Sequence, residues 1–91
     1  MPDESVTESA LKFPCRFPIK VMGYWAEDFD ALVMQIVRPH VRDLTEAAVR
    51  TRESRGGRYI SVTVTVDAES REQLDDIYRA LTSHSRVVMV L

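Results

Sequence analysis

The sequence is poor in the residues from which several kinds of small domain are built: it has one cysteine, three glycines and two histidines. Because Cys15 has no second cysteine to pair with, a secreted scaffold held together by internal disulfides is excluded. Gly23 and the adjacent pair Gly56 and Gly57 do not form the glycine-rich loop before a helix that binds phosphate.

A long apolar run and an excess of basic charge are also missing. No run approaches the roughly 18 apolar residues of a membrane-spanning helix, and residues 1–10 lack the pattern of a secretory signal. The net charge of -2 and the isoelectric point near 5.6 are unfavourable for a general nucleic-acid binder. We therefore expect a cytoplasmic protein that binds neither a membrane nor nucleic acid.

The length of 91 residues predicts one domain. A chain of this size buries roughly 60% of its extended surface, which is enough for a single core. Residues 1–10 are polar and acidic without an apolar period. We therefore expect a flexible tail over residues 1–12 and one domain over residues 13–91.

The segment from Phe13 to Gly23 has the period of two that is typical of a half-buried strand. Its apolar face consists of Phe13, Cys15, Phe17, Ile19 and Val21, and its other face of Pro14, Arg16, Pro18, Lys20 and Met22. We expect Cys15 to be buried, and an apolar environment disfavours the thiolate that a nucleophile needs.

Two later segments have the one-sided apolar pattern of amphipathic helices. Asp28 is expected to cap the first helix, and Pro39 to end it. Ser70 and Gln73 have the spacing of a capping box at the start of the second helix. The apolar positions are Phe29, Leu32, Val33, Ile36 and Val37 in the first helix and Leu74, Ile77, Tyr78 and Leu81 in the second.

A hairpin is predicted around Gly56 and Gly57, which suit a two-residue turn with positive φ. The strand from Tyr59 to Val66 alternates strictly between apolar and polar residues. Counting outward from the turn pairs Thr51 with Val62, Val49 with Val64, Ala47 with Val66, Arg52 with Ser61, Arg50 with Thr63 and Ala48 with Thr65. A last strand is expected from Val87 to Leu91.

The predicted order is strand, helix, strand, strand, helix, strand. This order indicates the α+β class and a ferredoxin-like β-α-β-β-α-β two-layer sandwich, in which both helices cover one face of a four-stranded antiparallel sheet. The first and third strands are central in that topology.

Three separated motifs carry a family resemblance. They are Phe13-Pro14-Cys15 with Phe17 and Lys20 to Gly23, then Ser54 and Gly56 before Tyr59 to Thr63, and finally Met89 to Leu91. In order and spacing they resemble the YbeD-like family of small bacterial proteins. The resemblance implies a ferredoxin-like fold similar to the ACT-like regulatory domain of phosphoglycerate dehydrogenase, and a gene often found beside the gene for octanoyl transfer in lipoate attachment. It supplies no catalytic residues.

The residues themselves offer no constellation for catalysis. His40 and His84 are single histidines in predicted connections, without a cysteine or carboxylate at ligand spacing, whereas a zinc site needs three or four ligands. We therefore predict no enzyme activity, no cofactor and no metal.

The polar face of the predicted sheet is the candidate binding surface. It presents Arg16, Lys20 and Met22 from the first strand, Arg50 and Arg52 from the second, and Tyr59, Ser61, Thr63 and Thr65 from the third. Such a face is either simply solvated or a docking surface for an acidic protein or an anionic ligand. RNA recognition is disfavoured because Tyr59 is the single aromatic residue assigned to this face.

Our leading hypothesis is a small binding or regulatory protein, linked by resemblance to lipoate metabolism, that contacts another protein through this face and the hairpin with Arg58. The alternative is an ACT-like homodimer that senses an amino-acid-type small molecule at the turn with Tyr24 and Trp25. For Trp25 we also consider a packing role, in which the indole covers the edge of the core.

Overall fold

The computed structural model describes residues 12–91. The elements in chain order are β1 (Cys15–Tyr24), α1 (Phe29–Val37), β2 (Val49–Glu53), β3 (Tyr59–Ala68), α2 (Arg71–Thr82) and β4 (Val87–Val90). Single 3-10 turns occupy Arg38–His40 and Glu46–Ala48. The predicted tail lies outside the described residues except for Lys12, which is exposed.

The four strands form one antiparallel sheet in the order β2-β3-β1-β4. The long strands β1 and β3 are central and pair over their full length, from Cys15 opposite Ala68 to Tyr24 opposite Tyr59. This order and the two helices confirm the predicted ferredoxin-like β-α-β-β-α-β fold.

The core lies between one face of the sheet and the two helices. Alternate residues of β1 and β3 are buried on this covered face because the side chains of a strand point to opposite sides in turn. The core consists of Ile19, Val21, Ile60, Val62, Val64, Val66 and Ala68 from the sheet, Phe29, Val33 and Val37 from α1, and Leu74, Ile77 and Leu81 from α2. The predicted apolar parity of both central strands is therefore correct.

Cys15 belongs to this face, but it is half-buried rather than fully buried. It is the first residue of β1 and lies opposite Ala68, the last residue of β3, so it packs at the margin of the core. The sequence predicted its face correctly and overestimated its burial.

Helix α1 begins at the expected position, but the side chain of its N-cap residue binds an arginine instead of the helix backbone. Asp28 occupies the N-cap position, but its side chain accepts no hydrogen bond from the helix backbone. Instead, its Oδ1 lies 2.7 Å from Nη2 of Arg86, and its Oδ2 lies 3.3 Å from Nη1. The hydrogen bonds from Arg86 hold the pKa of Asp28 below its usual range. The predicted side-chain cap is therefore wrong, because a distant arginine binds the carboxylate.

The end of α1 also differs in detail from the prediction. The α-helix ends at Val37, as expected from Pro39, yet Arg38 keeps helical dihedral angles and the chain continues through a 3-10 turn. Proline fits this turn because it stands at the first positions, where its missing N–H breaks no hydrogen bond.

Helix α2 has half of the predicted capping box. The N–H of Gln73 donates to Oγ of Ser70 at 3.1 Å, as expected. In return, Oε1 of Gln73 accepts from the N–H of Glu69 at 2.6 Å rather than from that of Ser70. The amide nitrogen of Gln73 also donates to the carbonyl of His40 at 2.8 Å, which ties α2 to the turn after α1.

The β2–β3 hairpin has the predicted register, from Val49 opposite Val64 to Arg52 opposite Ser61. The turn itself is displaced, because the N–H of Gly57 donates to the carbonyl of Ser54 and closes the turn one residue earlier. Gly56 and Gly57 have φ values of 95° and 71°, which favour glycine.

The ladder stops earlier at the other end of β2. Ala47 and Ala48 belong to the 3-10 turn Glu46–Ala48, so their predicted pairing with β3 is wrong. The N–H of Val49 donates to the carbonyl of Glu46 and closes that turn, which leaves β2 with five residues.

Candidate functional site

The candidate site is the open face, the side of the sheet that the helices leave uncovered. Residues directly opposite each other in an antiparallel pair project to the same side, so the register defines this face. It consists of Arg16, Pro18, Lys20, Met22 and Tyr24 from β1, Arg50 and Arg52 from β2, Tyr59, Ser61, Thr63, Thr65 and Asp67 from β3, and Met89 from β4.

Three cations occupy one half of the open face. Lys20 and Arg50 lie in one row on either side of Thr63, and Arg52 lies beside Ser61 in the next row. Because neighbouring strands are about 4.8 Å apart, Lys20 and Arg50 are separated by about 10 Å across the sheet. Within residues 12–91 none of the three forms an ion pair. The structure therefore brings these predicted residues together without ion-pair partners. Acidic residues still lie nearby, because Glu53 lines the same depression as Arg52, and Asp43 and Asp67 line the same one as Arg50.

Arg16 is different, because an acidic residue lies beside it. Its Nε is 3.6 Å from Oδ1 of Asp67, and both side chains are largely exposed. An exposed pair at this distance stabilises little, but it offsets the charge of Arg16. Asp67 was not predicted because the predicted strand ended at Val66, two residues before the end of β3 at Ala68.

A pair of stacked tyrosines occupies one end of the open face. The rings of Tyr24 and Tyr59 are 5.5 Å apart between centroids with an angle of 28° between their planes. Tyr24 was assigned to a turn, but β1 extends to it and the register sets it opposite Tyr59. The open face therefore has two aromatic residues, and the prediction of a single one is wrong.

An apolar border follows the β4 side of the face. Met89 lies opposite Met22 and is 48% exposed. Leu91, which is 60% exposed, exchanges two backbone hydrogen bonds with Lys20 and so shares its row. This border was not predicted from the sequence, because a bulge between Met22 and Gly23 leaves Val88 out of register and breaks the alternation of β4.

A shallow concavity lies where the cationic and aromatic areas meet. Its volume is about 190 Å³, and its lining includes Lys20, Met22, Arg52, Glu53, Tyr59 and Ser61. The small side chain of Ser61 forms the depression between longer neighbours, and its hydroxyl lies 3.4 Å from the carbonyl of Arg52. This volume is below the roughly 300–1,000 Å³ of sites that enclose drug-sized ligands.

Two predicted site residues lie beside the open face rather than on it. Arg58 lies in the loop before β3, where its carbonyl accepts a hydrogen bond of 2.8 Å from the N–H of Trp25. Trp25 follows β1 and is 43% exposed, so more than half of its surface is covered. The packing role considered for Trp25 therefore stays a prediction.

The turn after β1, the expected effector loop, is filled by its own side chains. Gly23 is buried against the ring of Phe29, and a Cβ atom at this position would lie 2.6 Å from the carbonyl oxygen of Arg86. The ion pair between Arg86 and Asp28 lies beside this turn. Within one chain, the structure leaves little room beneath this turn for a small molecule.

Residues with catalytic or metal-binding potential are scattered in the described part of the chain. Residues 12–91 contain no group of three histidine, cysteine or acidic side chains that could hold a metal ion. Nδ1 of His84 accepts a hydrogen bond from the N–H of Arg86, so this histidine stabilises the turn before β4. Neither helix in this part is long enough to cross a membrane.

Comparison with known sequences identifies close relatives in bacteria. A family model described as "Protein of unknown function (DUF493)" matches residues 8–91. A "UPF0250 protein" of Chromobacterium violaceum is 50% identical over 91 residues, which cover 100% of both chains. Another, of Paraburkholderia phytofirmans, is 52% identical over 87 residues and covers 96% of this chain and 98% of the relative.

A solved structure has the same fold. The solution structure of protein HP0495 from H. pylori matches with a TM-score of 0.77 and covers 100% of this chain and 94% of that chain. The sequence identity of 15% makes this match evidence for the fold alone. The sequence relatives go further and agree with the YbeD-like resemblance, and from them we conclude that the chain belongs to the DUF493, or UPF0250, family of small bacterial proteins of unknown function.

Proposed function

We propose that the protein is a non-enzymatic binding module of the bacterial cytoplasm that docks an acidic protein partner on its open face. The observation that carries this proposal is the composition of that face. Three cations without an acidic partner in residues 12–91, Lys20, Arg50 and Arg52, lie beside the exposed rings of Tyr24 and Tyr59. Interfaces are enriched in tyrosine and arginine, because both bury a large surface and retain polar groups for directed contacts.

A protein partner suits this surface better than a small molecule does. The two concavities lined by residues of this face, of about 190 Å³ and about 270 Å³, are each wide enough for one inserted side chain and smaller than sites that enclose a drug-sized ligand. The apolar border with Met22 and Met89 adds exposed surface that a partner would remove from water. Carboxylates of the partner would face the two arginines, whose planar guanidinium groups bind carboxylates with two hydrogen bonds.

Nucleic acid is a weaker candidate, even with a second aromatic residue on the face. The net charge of -2 works against phosphate binding. Tyr24 and Tyr59 also stack on each other, so one side of each ring is already covered and unavailable for stacking on a base. We therefore expect no binding of mixed single-stranded RNA at moderate salt in a filter-binding assay.

The second candidate function is the ACT-like sensor that acts as a dimer. It is favoured by the exposed apolar residues Val88, Met89 and Leu91 along β4, which suit contact with a second copy. Two measurements test it: sedimentation of the protein with and without a panel of amino acids, and amide chemical shifts of residues 22–29. A monomer without shifts in this segment rejects the sensor.

The experiment for the main proposal is capture of partners from a bacterial lysate by the tagged protein. The double variant Lys20→Glu, Arg52→Glu reverses two charges of the open face, and Arg42→Glu is the matched control, because Arg42 is exposed outside that face. We expect the double variant to lose a partner that the wild type and the control both retain. The proteins of lipoate attachment are the first partners to test, because of the resemblance described above.

The outcome that contradicts the proposal is capture of the same partners in the same amounts by all three proteins. Circular dichroism of each variant separates a lost interface from a lost fold. Both changed residues are exposed, so the variants are expected to fold like the wild type.

A further inference from the structure

The outer edge of β2 has backbone groups without partners in the sheet. Among residues 12–91, β2 pairs with β3 alone, and the N–H of Ser54 donates to the carbonyl of Tyr59 at the hairpin end of this ladder. In an antiparallel ladder every second residue faces the neighbouring strand, so Arg50 and Arg52 bond to β3. The N–H and carbonyl groups of Thr51 and Glu53 therefore point away from the sheet and form an open edge.

A groove runs beside this edge, between β2 and α1. Its volume is about 340 Å³. Ala31 and Met34 of α1 and Val49 of β2 give it an apolar lining, while Asp30 and Glu46 add two carboxylates and no cation lines it. Neither carboxylate has an ion-pair partner within residues 12–91, although Oδ1 of Asp30 accepts from the N–H of Ala31. The groove therefore favours basic or small apolar side chains.

The two sides of this edge carry opposite charge. A strand added along β2 would project alternate side chains onto the open face, beside Arg50 and Arg52, and into the groove, beside Asp30 and Glu46. Opposite charges on neighbouring strands stabilise pairing, and like charges directly opposite each other destabilise it. The edge thus selects a segment in which acidic residues alternate with basic or small apolar residues.

A second copy of the chain does not satisfy this requirement. Any antiparallel pairing of two β2 strands centred on Arg50, Thr51 or Arg52 sets arginines of one copy opposite arginines of the other. Edge strands protect themselves from self-association by charges placed in this way. The other sheet edge, β4, has no acidic residue to place beside Arg50 and Arg52. Neither edge strand of a second copy therefore fits, and the occupant is a segment of a different protein.

We propose that the edge of β2 binds an extended segment of a partner protein as an added β-strand, and that this segment alternates acidic side chains with basic or small apolar ones. Main-chain hydrogen bonds to Thr51 and Glu53 hold the segment, and the alternating charges determine its sequence. This inference shares Arg50 and Arg52 with the proposed docking at the open face, but its main contact is the backbone of β2, which open-face docking does not use.

The test uses two blocked hexapeptides of identical composition. One alternates, Glu-Val-Glu-Lys-Glu-Val, and the other is sorted into blocks, Glu-Glu-Glu-Val-Val-Lys. Each is titrated into the isotope-labelled wild-type protein while the amide resonances are recorded. We expect the alternating peptide to bind at least tenfold more tightly, to shift the amides of Thr51 and Glu53, and to slow hydrogen exchange at Thr51. Equal affinity for both peptides, no binding, or shifts confined to other residues would overturn the proposal.

Two substitutions make the test specific to the edge. Thr51→Pro removes an N–H that points outward, so it breaks no bond to β3 and is tolerated on an edge strand. Thr51→Val is the matched control, because it keeps the N–H. We expect Thr51→Pro to abolish peptide binding and Thr51→Val to retain it; retained binding by Thr51→Pro would contradict strand addition.

A third variant tests the edge without a proline, so its result does not depend on whether Thr51→Pro folds. Asp30→Asn, Glu46→Gln keeps the shape of the groove and removes its charge. We expect it to bind the alternating peptide at least fivefold more weakly, and to bind a peptide with valine in place of lysine as the wild type does. An unchanged affinity for the lysine peptide would contradict the proposal that Asp30 and Glu46 select a basic side chain in the groove. Because Thr51→Pro leaves Lys20 in place, failure here and failure of open-face docking are distinguishable.

Discussion

On its covered face the sheet presents Ile19, Val21, Val62 and Val64, none of which has any exposed surface. The open face of the same strands presents Lys20, Met22, Ser61 and Thr63 at the intervening positions. The two sets are adjacent along the chain, and their side chains project to opposite faces of the sheet. The buried residues of the covered face therefore provide the stability, and the residues of the open face can carry charge and hydroxyl groups for binding.

The largest difference in stability is expected between substitutions at two adjacent residues of β1, whose side chains lie on opposite faces of the sheet. Ile19→Ala removes three carbons from the core and should lower the free energy of unfolding by about 2–5 kcal/mol. Lys20→Ala, the matched control on the open face, should change it by less than about 0.5 kcal/mol. Urea denaturation of both variants measures the difference. Similar losses in the two variants would abolish the distinction between the faces.

A smaller loss of stability is expected from a substitution at Gly23, where the covered face contacts α1. Gly23→Ala places a methyl group against the ring of Phe29 and the carbonyl of Arg86, which should cost about 1–3 kcal/mol of stability. Phe29→Leu in the same chain shortens the side chain at this contact. Denaturation of the two single variants and the double variant then measures their coupling, and we expect the double variant to lose less than the sum of the two. Additive losses would mean that the ring does not limit the space.

The smallest effect on stability is expected from removing the ion pair between Asp28, which precedes α1, and Arg86, which precedes β4. The pKa of Asp28 is lower in the folded protein than in the unfolded chain, because Arg86 donates hydrogen bonds to the carboxylate. The pair therefore stabilises fully above the unfolded pKa of about 3.9, and its contribution is lost as the pH falls through the lower folded value.

Asp28→Asn removes this pH dependence. At pH 7 the variant should be slightly less stable than the wild type, and the difference should vanish at the acidic end of a pH series of thermal melts. A difference that persists unchanged below pH 3 would show that another contact of Asp28 causes it.

The parts of the fold that were predictable from the sequence depend on neighbours along the chain. The alternation of β3 identified its buried residues, and counting from Gly56 and Gly57 gave the correct pairing of Val49 with Val64, even though the turn closes one residue earlier. The Ser70 cap of α2 was equally readable. In each case the physical cause lies within a few residues, so the pattern is visible in one dimension.

The candidate site was predictable only in part, for the opposite reason. Lys20, Arg50 and Arg52 were assigned to one face because strand parity is local, and the structure brings them together. Tyr24 was predicted as a site residue but assigned to a turn, and Asp67 was missed. Both errors arise because strand ends depend on the partner strand, which extends each ladder beyond the alternating core. The apolar border on β4 was missed because its bulge depends on pairing with β1.

The sequence by itself determined which side of each central strand is dry, since burial of apolar side chains at every second position leaves one arrangement that forms a core. The tertiary structure alone decided which distant groups meet: Asp28 finds Arg86 instead of its own helix, Tyr24 stacks on Tyr59, and α1 with β2 encloses a groove beside an open edge. These contacts join residues far apart in the chain. Only the packed sheet brings them within the few ångströms over which hydrogen bonds and ring contacts act.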